Sequence, residues 1–415
     1  VKQVMVAISL RSGSDDRQRA GDASATAVLV FPNRSHPAKA PRLRLHLSPP
    51  SLVGGELAVL SRTLTDGWIA PAGPVPEQFE QAVGEAAGFA HTAAVASGTA
   101  ALHLGFRVLG VERGDEVWTQ SLTFVATVAP AVQMGARPRF LDVSPESWTL
   151  DPNLLEDQLQ KAATKGRLPR AVVPVDLYGQ PCDLDAILAV CGRWGVPVLC
   201  DSAEALGARY RDRPVGKGAA LAAFSFNGNK IITAGGGGAL VSDDPALIAR
   251  ARHLATQAKE TAPHYQHETT GYSYGLSSVL AAVGLAQIGA LEARVAERRL
   301  VFDRYAEALS GLPGVSLMPE PAWARSSRWL SVIQIDPKAF GTTREAVRRA
   351  LDAAQIESRP VWKPLHMQPA FRGARFHGDG LSGRLFERGL CLPSGSMTAE
   401  EQARVTDVIR ACCKG

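Results

Sequence analysis

The sequence predicts an α/β protein: a mostly parallel central sheet with helices on both faces, plus a smaller α+β C-terminal domain. Three observations predict it. Between residues 91 and 201, short apolar runs of strand length alternate with helix-length segments, the pattern of a parallel sheet wound through crossover helices. The 415 residues exceed the usual size of one domain, so two domains and a substantial core are expected. From about Val315 the pattern changes, with a strand at 329–335, a helix at 343–355 and a closing helix at 398–412. The expected divisions are a disordered N-terminal extension at 1–44, a large domain at 45–290 and a small domain at 291–415.

Composition excludes several functions. A hydrophobic content of 46% with 20% charged residues is ordinary for a globular protein. The net charge of +5 comes without a basic stripe and interleaved aromatics, so nucleic-acid binding is not expected. The apolar run at 1–10 is too short to span a bilayer, and no membrane insertion is expected. The cysteines lack metal-ligand spacing. Cys182, Cys191 and Cys200 lie in or beside apolar runs, which fits reduced thiols in a cytoplasmic protein with no metal.

The elements follow in order. Residues 1–44 carry no periodic apolar face, whereas 55–64 and 77–89 read as helices, the second with Phe79, Val83 and Ala87 on one side. A strand from His91 leads to Ser97-Gly-Thr, which opens a helix whose free N–H groups suit a phosphate, or which is simply capped there. Strands at 115–120 and 139–143 flank Ser121-Leu-Thr-Phe-Val-Ala-Thr, read as a helix start. Phe124 at that turn either stacks on a flat ring or joins the core. A strand from Ala171, a helix at 183–194, a strand at 196–201 and a strand at 221–226 complete the alternation. Helices are expected at 244–258 and, as one long element, from Ser277 to Leu309. Between these two lies an aromatic loop carrying His264 and His267. No third ligand accompanies the histidines, so the loop is read as facing substrate or an interface.

The chemistry centres on Asn227-Gly-Asn-Lys-Ile-Ile-Thr-Ala-Gly-Gly-Gly-Gly. A lone lysine, Lys230, precedes glycines that let backbone approach a bulky ligand, and desolvation there would free its amine for a Schiff base. Asp201 ends the run Val196-Pro-Val-Leu-Cys-Asp, placing a carboxylate at the C-terminal end of a strand, where ligands of open α/β sheets bind. A lysine with an aspartate facing a pyridine nitrogen is the protein half of pyridoxal phosphate (PLP) chemistry. Ser225 is a second hydroxyl near the same place.

Taken in order, Ser97-Gly-Thr, Phe124, Asp201-Ser-Ala-Glu, Ser225 and Asn229-Lys resemble the DegT/DnrJ/EryC1/StrS family of PLP-dependent sugar aminotransferases, from Leu47 to the C-terminus. The stretches Trp68-Ile-Ala-Pro, His264-Tyr-Gln-His and Arg359-Pro-Val-Trp-Lys are similar to members of the UDP-N-acetylbacillosamine pathway. The resemblance implies the type I aminotransferase fold, a homodimer with shared active sites, and L-glutamate as amino donor, leaving as 2-oxoglutarate. It implies that Lys230 carries PLP and shuttles protons, and that Asp201 pairs with the ring nitrogen. Phe124 would stack on the ring, Glu204 would approach its phenolic oxygen, and Gly98, Thr99 and Ser225 would hold the phosphate. Ser273 would reach the cofactor of the partner subunit. Trp68, Ile69, Ala70, His264, His267, Arg359 and His366 would meet the sugar nucleotide.

The implied reaction is amino transfer to a UDP-linked 4-keto-6-deoxy sugar, UDP-2-acetamido-2,6-dideoxy-hexos-4-ulose, for bacterial glycan synthesis. A GDP-linked 4-keto sugar, a 3-keto sugar and a non-catalytic binding homologue are the competing readings. The chain departs from the bacillosamine pattern in Gly271-Tyr-Ser-Tyr-Gly, where Ser273 and Gly275 stand in place of an asparagine and an arginine. An anion is therefore expected to lack a donor there.

Overall fold

The computed structural model describes residues 44–414. The expected N-terminal extension lies outside the described residues except for Arg44, which pairs with Asp352 at 2.7 Å.

Strands β1 (His91–Val95), β2 (Glu116–Gln120), β3 (Arg137–Leu141), β4 (Ala171–Val173) and β5 (Leu199–Asp201) follow the predicted alternation. Two four-stranded sheets share them. The first runs β1, Gly238–Ser242, Leu221–Ser225, β5; the second runs Arg375–His377, β3, β2, β4. Parallel bridges Val172–Val198 and Val175–Asp201 join the two edge to edge. Strand contacts are parallel except on both sides of Gly238–Ser242, which runs antiparallel to β1 and to Leu221–Ser225. This antiparallel strand was not expected. Its apolar residues follow a glycine run, which reads as a loop, and only pairing on both sides makes it a strand.

Helix α1 spans Glu56–Thr65, and α2 spans Pro74–Ala87. Proline at the start of α2 needs no N–H partner, and Gly88 at φ 72° ends the helix, so it starts and stops ahead of the expected 77–89. Phe79, Val83 and Ala87 are buried as its periodicity requires. Helix α3 (Gly98–Val108) starts where Ser97 caps it, the Ser97 hydroxyl accepting the Ala100 N–H at 3.0 Å. No full helix opens at Ser121. A 3₁₀ turn at Val125–Thr127 and a short helix at Ala129–Gln133 stand there, in a stretch rich in β-branched residues and interrupted by Pro130. The expected single helix from Ser277 to Leu309 is two, Ser278–Ile288 and Leu291–Leu309, bent by 66° across Gly289. Among the described residues, no single helix is long and apolar enough to cross a membrane.

The C-terminal part carries an antiparallel sheet ordered Val315–Leu317, Ser331–Ile335, Gly389–Leu392, Arg359–Pro360. Helices Leu291–Leu309, Arg344–Ala353 and Ala399–Cys412 contribute with it to one apolar cluster around Tyr305, Ile333, Val347 and Ile409. Two segments cross residue 290, the expected division. Leu45 bridges Ile356, and Arg375–His377 extends the large sheet beside β3.

Candidate active site

Because their neighbours run parallel, β2, β4, β5 and Leu221–Ser225 deliver their C-terminal ends to one side of the sheet. A cavity of about 370 Å³ opens there, beside the N-terminus of α3. It brings together Gly98, Thr99, Phe124, Asp201, Glu204, Ser225 and Lys230, all singled out from the sequence.

Asp201 is 5% exposed, and its carboxylate has defined partners. Oδ2 accepts the Thr127 hydroxyl at 2.7 Å, and Oδ1 accepts the Ala203 N–H at 3.2 Å. Thr127 is in turn tied to Thr123 at 2.7 Å. Burial pushes the Asp201 carboxyl above its ordinary value, opposed by the Thr127 and Ala203 donors and by the charge of Lys230.

Lys230 sits in the turn after Leu221–Ser225, its N–H bonded to Asn227 O at 3.0 Å. Its Nζ lies 3.6 Å from Glu204 Oε1 and 3.9 Å from the centre of the Trp329 ring. Burial pulls its pKa down, and Glu204 and Asp201 pull the other way. The amine is thereby held among two acids and an aromatic face, out of bulk water. Glu204 Oε2 accepts the Tyr178 N–H at 2.8 Å, and burial raises the Glu204 carboxyl against Lys230 and that bond.

The phosphate-type end of the cavity is built from backbone. The first turn of α3 leaves N–H groups without helical partners. Gly98 packs on the end of Leu221–Ser225, where a Cβ would lie 2.9 Å from Ser225 Cβ. Behind it, a Cβ on Gly238 would lie 2.4 Å from the Ser97 carbonyl carbon, so the antiparallel strand can back the cradle only as glycine. Phe124 is 49% exposed, its ring 5.3 Å from Trp362. It belongs to the cavity wall and not to the core.

The other sequence candidates lie elsewhere in the chain. Trp68, Ile69 and Ala70 are exposed, and Ala70 O accepts the Ser278 hydroxyl at 2.7 Å. His264 is exposed, while His267 bonds the carbonyl oxygens of Gln257 and Ala258 at 3.0 and 3.1 Å. No group of metal-ligating side chains occurs among the described residues. His366 bonds the Ser121 hydroxyl at 2.6 Å and stacks on Phe376, and it lines no part of this cavity. Arg359 lines an adjoining cavity of about 720 Å³ that shares Asn229, Trp329 and Trp362 with the first, and it pairs with Glu357. Ser273 is exposed, outside the cavity. Its loop supports the cradle through backbone, with Ala96 N–H donating to Tyr274 O at 2.7 Å. A Cβ on Gly275 would meet Pro71 Cβ at 2.7 Å, so the missing side chain answers to packing against Pro71, and an arginine there would first displace that segment.

Sequence reading missed Thr127, Tyr178, Trp329 and Trp362. Thr127 is one more hydroxyl in a polar turn. Tyr178 acts through a backbone N–H in a left-handed conformation, φ 55°, and its hydroxyl accepts the Trp362 N–H at 2.8 Å. The two tryptophans come from the C-terminal part of the chain, with Trp329 Nε1 donating to Asn229 O at 2.7 Å. Trp362 falls inside the stretch Arg359-Pro-Val-Trp-Lys without being singled out, and no local pattern signals the other three.

Asp176 stands behind the site, accepting the Ser202 hydroxyl at 2.6 Å and the Cys182 N–H at 2.9 Å. Burial pushes its carboxyl up to about 6, against those donors and with a further push from Asp201. Between the unfolded value near 4 and this one, the folded chain holds a proton that the unfolded chain has released, so stability falls as pH rises through that window. Asp176→Asn is expected to remove this dependence. Relative to the parent, the variant should gain on the order of 2 kcal/mol between pH 4 and pH 7. Urea unfolding of both proteins at the two pH values measures it, and parallel slopes would refute it.

A family model described as the DegT/DnrJ/EryC1/StrS aminotransferase family matches residues 51–410. The chain is 47% identical over 371 residues to EpsN of Bacillus subtilis (strain 168), named as a pyridoxal phosphate-dependent aminotransferase; the match covers 88% of this chain and 95% of that protein. It is 35% identical over 329 residues to GDP-perosamine synthase of Caulobacter vibrioides, covering 79% of this chain and 87% of that one. The solved structure of DesI in the presence of its TDP-sugar product matches with a TM-score of 0.82 at 30% identity, over 91% of this chain and 94% of that one. The geometry around Lys230 thus sits in a chain matched almost end to end, and that chain belongs to the DegT/DnrJ/EryC1/StrS aminotransferase family.

Proposed function

We propose that this protein is a PLP-dependent transaminase that moves the amino group of L-glutamate to the 4-keto carbon of a nucleotide-linked 4-keto-6-deoxy sugar. The observation that carries the reading is the Lys230 amine, held 3.6 Å from Glu204 in the same cavity as Asp201 and the α3 N-terminus.

The residues present fit the cofactor. An amine depressed by burial, a carboxylate fixed by Thr127, and a glycine-backed helix start are the donor set for an aldehyde, a pyridinium and a phosphate. Lys230 would hold PLP covalently, Asp201 its ring nitrogen, and Phe124 its face. Glu204 would approach its phenolic oxygen, and Gly98, Thr99 and Ser225 would hold its phosphate. Bound there, PLP supplies the electron sink for a proton leaving the amino-acid α-carbon and carries the amino group between the two substrates. Lys230 Nζ would be the base that takes the α-proton of glutamate and the acid that gives a proton to the sugar carbon. Burial lowers its pKa against the pull of Glu204 and Asp201, which favours the neutral, basic form. Asp201, anchored by Thr127 and Ala203, would set its carboxylate against the ring nitrogen. Trp329, Trp362 and Tyr178 wall the amine from water.

UDP-2-acetamido-2,6-dideoxy-hexos-4-ulose is the proposed substrate, giving a UDP-4-amino sugar for bacterial glycan synthesis. A GDP-linked 4-keto sugar is the second reading, favoured by the 35% identity to GDP-perosamine synthase. Arg359, in the adjoining cavity, is the proposed nucleotide-side contact. A homodimer is part of the same reading, supported by Trp68, Ile69 and Tyr265 standing 50%, 57% and 82% exposed, with Leu57 and Leu64 of α1 exposed as well. Ser273, His264 and His267 would then serve the partner's site. Cysteines that are all unpaired, four of them buried, support a cytoplasmic setting.

The test is spectroscopic. L-glutamate should bleach the visible band of the purified holoprotein, and the matching ketosugar should restore it. UDP-, GDP- and TDP-linked 4-keto-6-deoxy sugars, assayed in parallel, rank the substrates, and light scattering reads the oligomer. A band unmoved by glutamate would sink the transaminase reading; restoration by the GDP sugar alone would replace the UDP assignment.

A further inference from the structure

The N-terminal ends of the same parallel strands meet at the opposite end of the sheet, and they are cationic. Asp115 and Glu116 at the start of β2, Arg137 at the start of β3, and Arg375 at the start of Arg375–His377 line a cavity of about 640 Å³. Arg167 and Leu168, just ahead of β4, and Arg372 close it. A second cavity of about 450 Å³ shares Arg139, Arg167 and Arg375 with the first and adds Lys161, Lys165 and His377. A five-residue strand spans roughly 16 Å, so this place is well separated from Asp201 and Lys230.

Charge is not balanced there. Glu116 is taken up by Arg139 at 2.7 Å and Asp157 by Lys161 at 2.6 Å. Arg137 bonds only the Gly114 carbonyl, Arg167, Arg372 and Lys165 pair with no carboxylate among the described residues, and Arg375 feels only Glu116, which Arg139 already holds. Arg139, 8% exposed, lies over the Trp118 ring at 4.4 Å, and its Nε has no hydrogen-bond partner among the described residues; nor has His377 Nε2. Burial first, then Arg139, Arg375 and Lys161, hold His377 below the ordinary imidazole value, against Asp157. Cations that outnumber the acids at a concavity repel one another, and an anion relieves them. One wall is apolar, with Val132, Leu168 and Phe371 beside the arginines.

We infer that this pair of cavities at the N-terminal end of the sheet binds a ligand carrying a diphosphate or triphosphate chain, of mononucleotide size, apart from the Lys230 site. The guanidinium groups of Arg372 and Arg375 grip phosphate oxygens, and the wall of Val132, Leu168 and Phe371 takes the nucleoside. Phe371 also packs on Phe140 in a small apolar cluster with Val128, next in sequence to the Thr127 that holds Asp201. The site therefore touches the core directly behind the active-site turn.

The experiment is calorimetric titration of the PLP-loaded full chain with ADP, inorganic tripolyphosphate and adenosine. The parent and the variants Arg372→Glu and Arg375→Glu are compared, with Arg372→Gln and Arg375→Gln in case charge reversal impairs folding. ADP is expected to bind saturably, to weaken as salt rises, and to lose roughly tenfold in affinity with each lost guanidinium. Melting temperature and the visible cofactor band should stay unchanged. Adenosine should not bind, because the phosphates carry the affinity. Binding of ADP tighter than tripolyphosphate, both sensitive to the variants, identifies a nucleotide; equal binding identifies free polyphosphate in the same site. Absence of saturable binding by both anions, or binding indifferent to Arg372 and Arg375, overturns the inference. The readout is independent of the sugar substrate, so its failure leaves the transaminase reading standing, and the reverse holds too.

Discussion

Lys230→Ala is expected to lose covalent retention of PLP and at least about 10³-fold in kcat, since one side chain is asked both to hold the cofactor and to move the protons. Lys230 is the one lysine lining the cavity that holds Asp201 and Glu204, among the described residues. Its competitors are otherwise engaged: Lys217 pairs with Asp243 at 2.6 Å, and Lys259 sits over the Tyr265 ring at 4.5 Å. Lys363 lines the adjoining cavity and is the nearest rival in place. Borohydride reduction of the parent followed by peptide mapping should put the label on Lys230, and the alanine variant should lose its band on dialysis. A label on Lys363, Lys217 or Lys259, or undiminished turnover by the variant, would overturn the assignment.

Asp201→Asn is expected to lower kcat by about 10²–10³-fold while leaving the fold intact or slightly more stable. The amide can keep both partners, its oxygen accepting the Ala203 N–H and its nitrogen donating to Thr127 Oγ1, so the geometry survives. What goes is the charge that would hold a proton on the ring nitrogen, together with the cost of burying a carboxylate that burial already pushes up. Rate and stability should therefore move apart. Thr127→Val should cost less rate, because the charge remains and only its anchor is lost. The measurement is kcat beside the unfolding midpoint for all three proteins. A fall in rate matched by a fall in stability would mean that Asp201 holds the structure and not the chemistry.

Much of the site was legible because its parts are local. Asp201 closes an apolar run, Ser97 stands where a strand meets a helix, and Lys230 precedes a run of glycines; each needs only a few neighbouring residues to declare itself. The substrate-side candidates were less so. Trp68, His264 and Ser273 lie on exposed segments away from the cavity, while His366 is spent on Ser121 and Phe376. Gly275 looked like a lost cation, and its packing against Pro71 shows a steric demand that no single-chain pattern carries.

By itself the sequence determined the α/β alternation, the buried faces of its amphipathic helices, the helix caps, and the polar groups that strand ends deliver to one side of a parallel sheet. These depend on periodicity and on the chemistry of adjacent residues, which are written along the chain. Only the tertiary structure decided that the stretch after the glycines pairs as an antiparallel strand, and that Trp329 and Trp362 come from the C-terminal part to wall Lys230. It alone decided that Thr127 anchors Asp201, and that arginines from separate segments crowd one end of the sheet. The reason is physical: pairing, desolvation and charge crowding are set by neighbours far away in sequence, and their energies exist only once packing has brought those neighbours within a few ångströms.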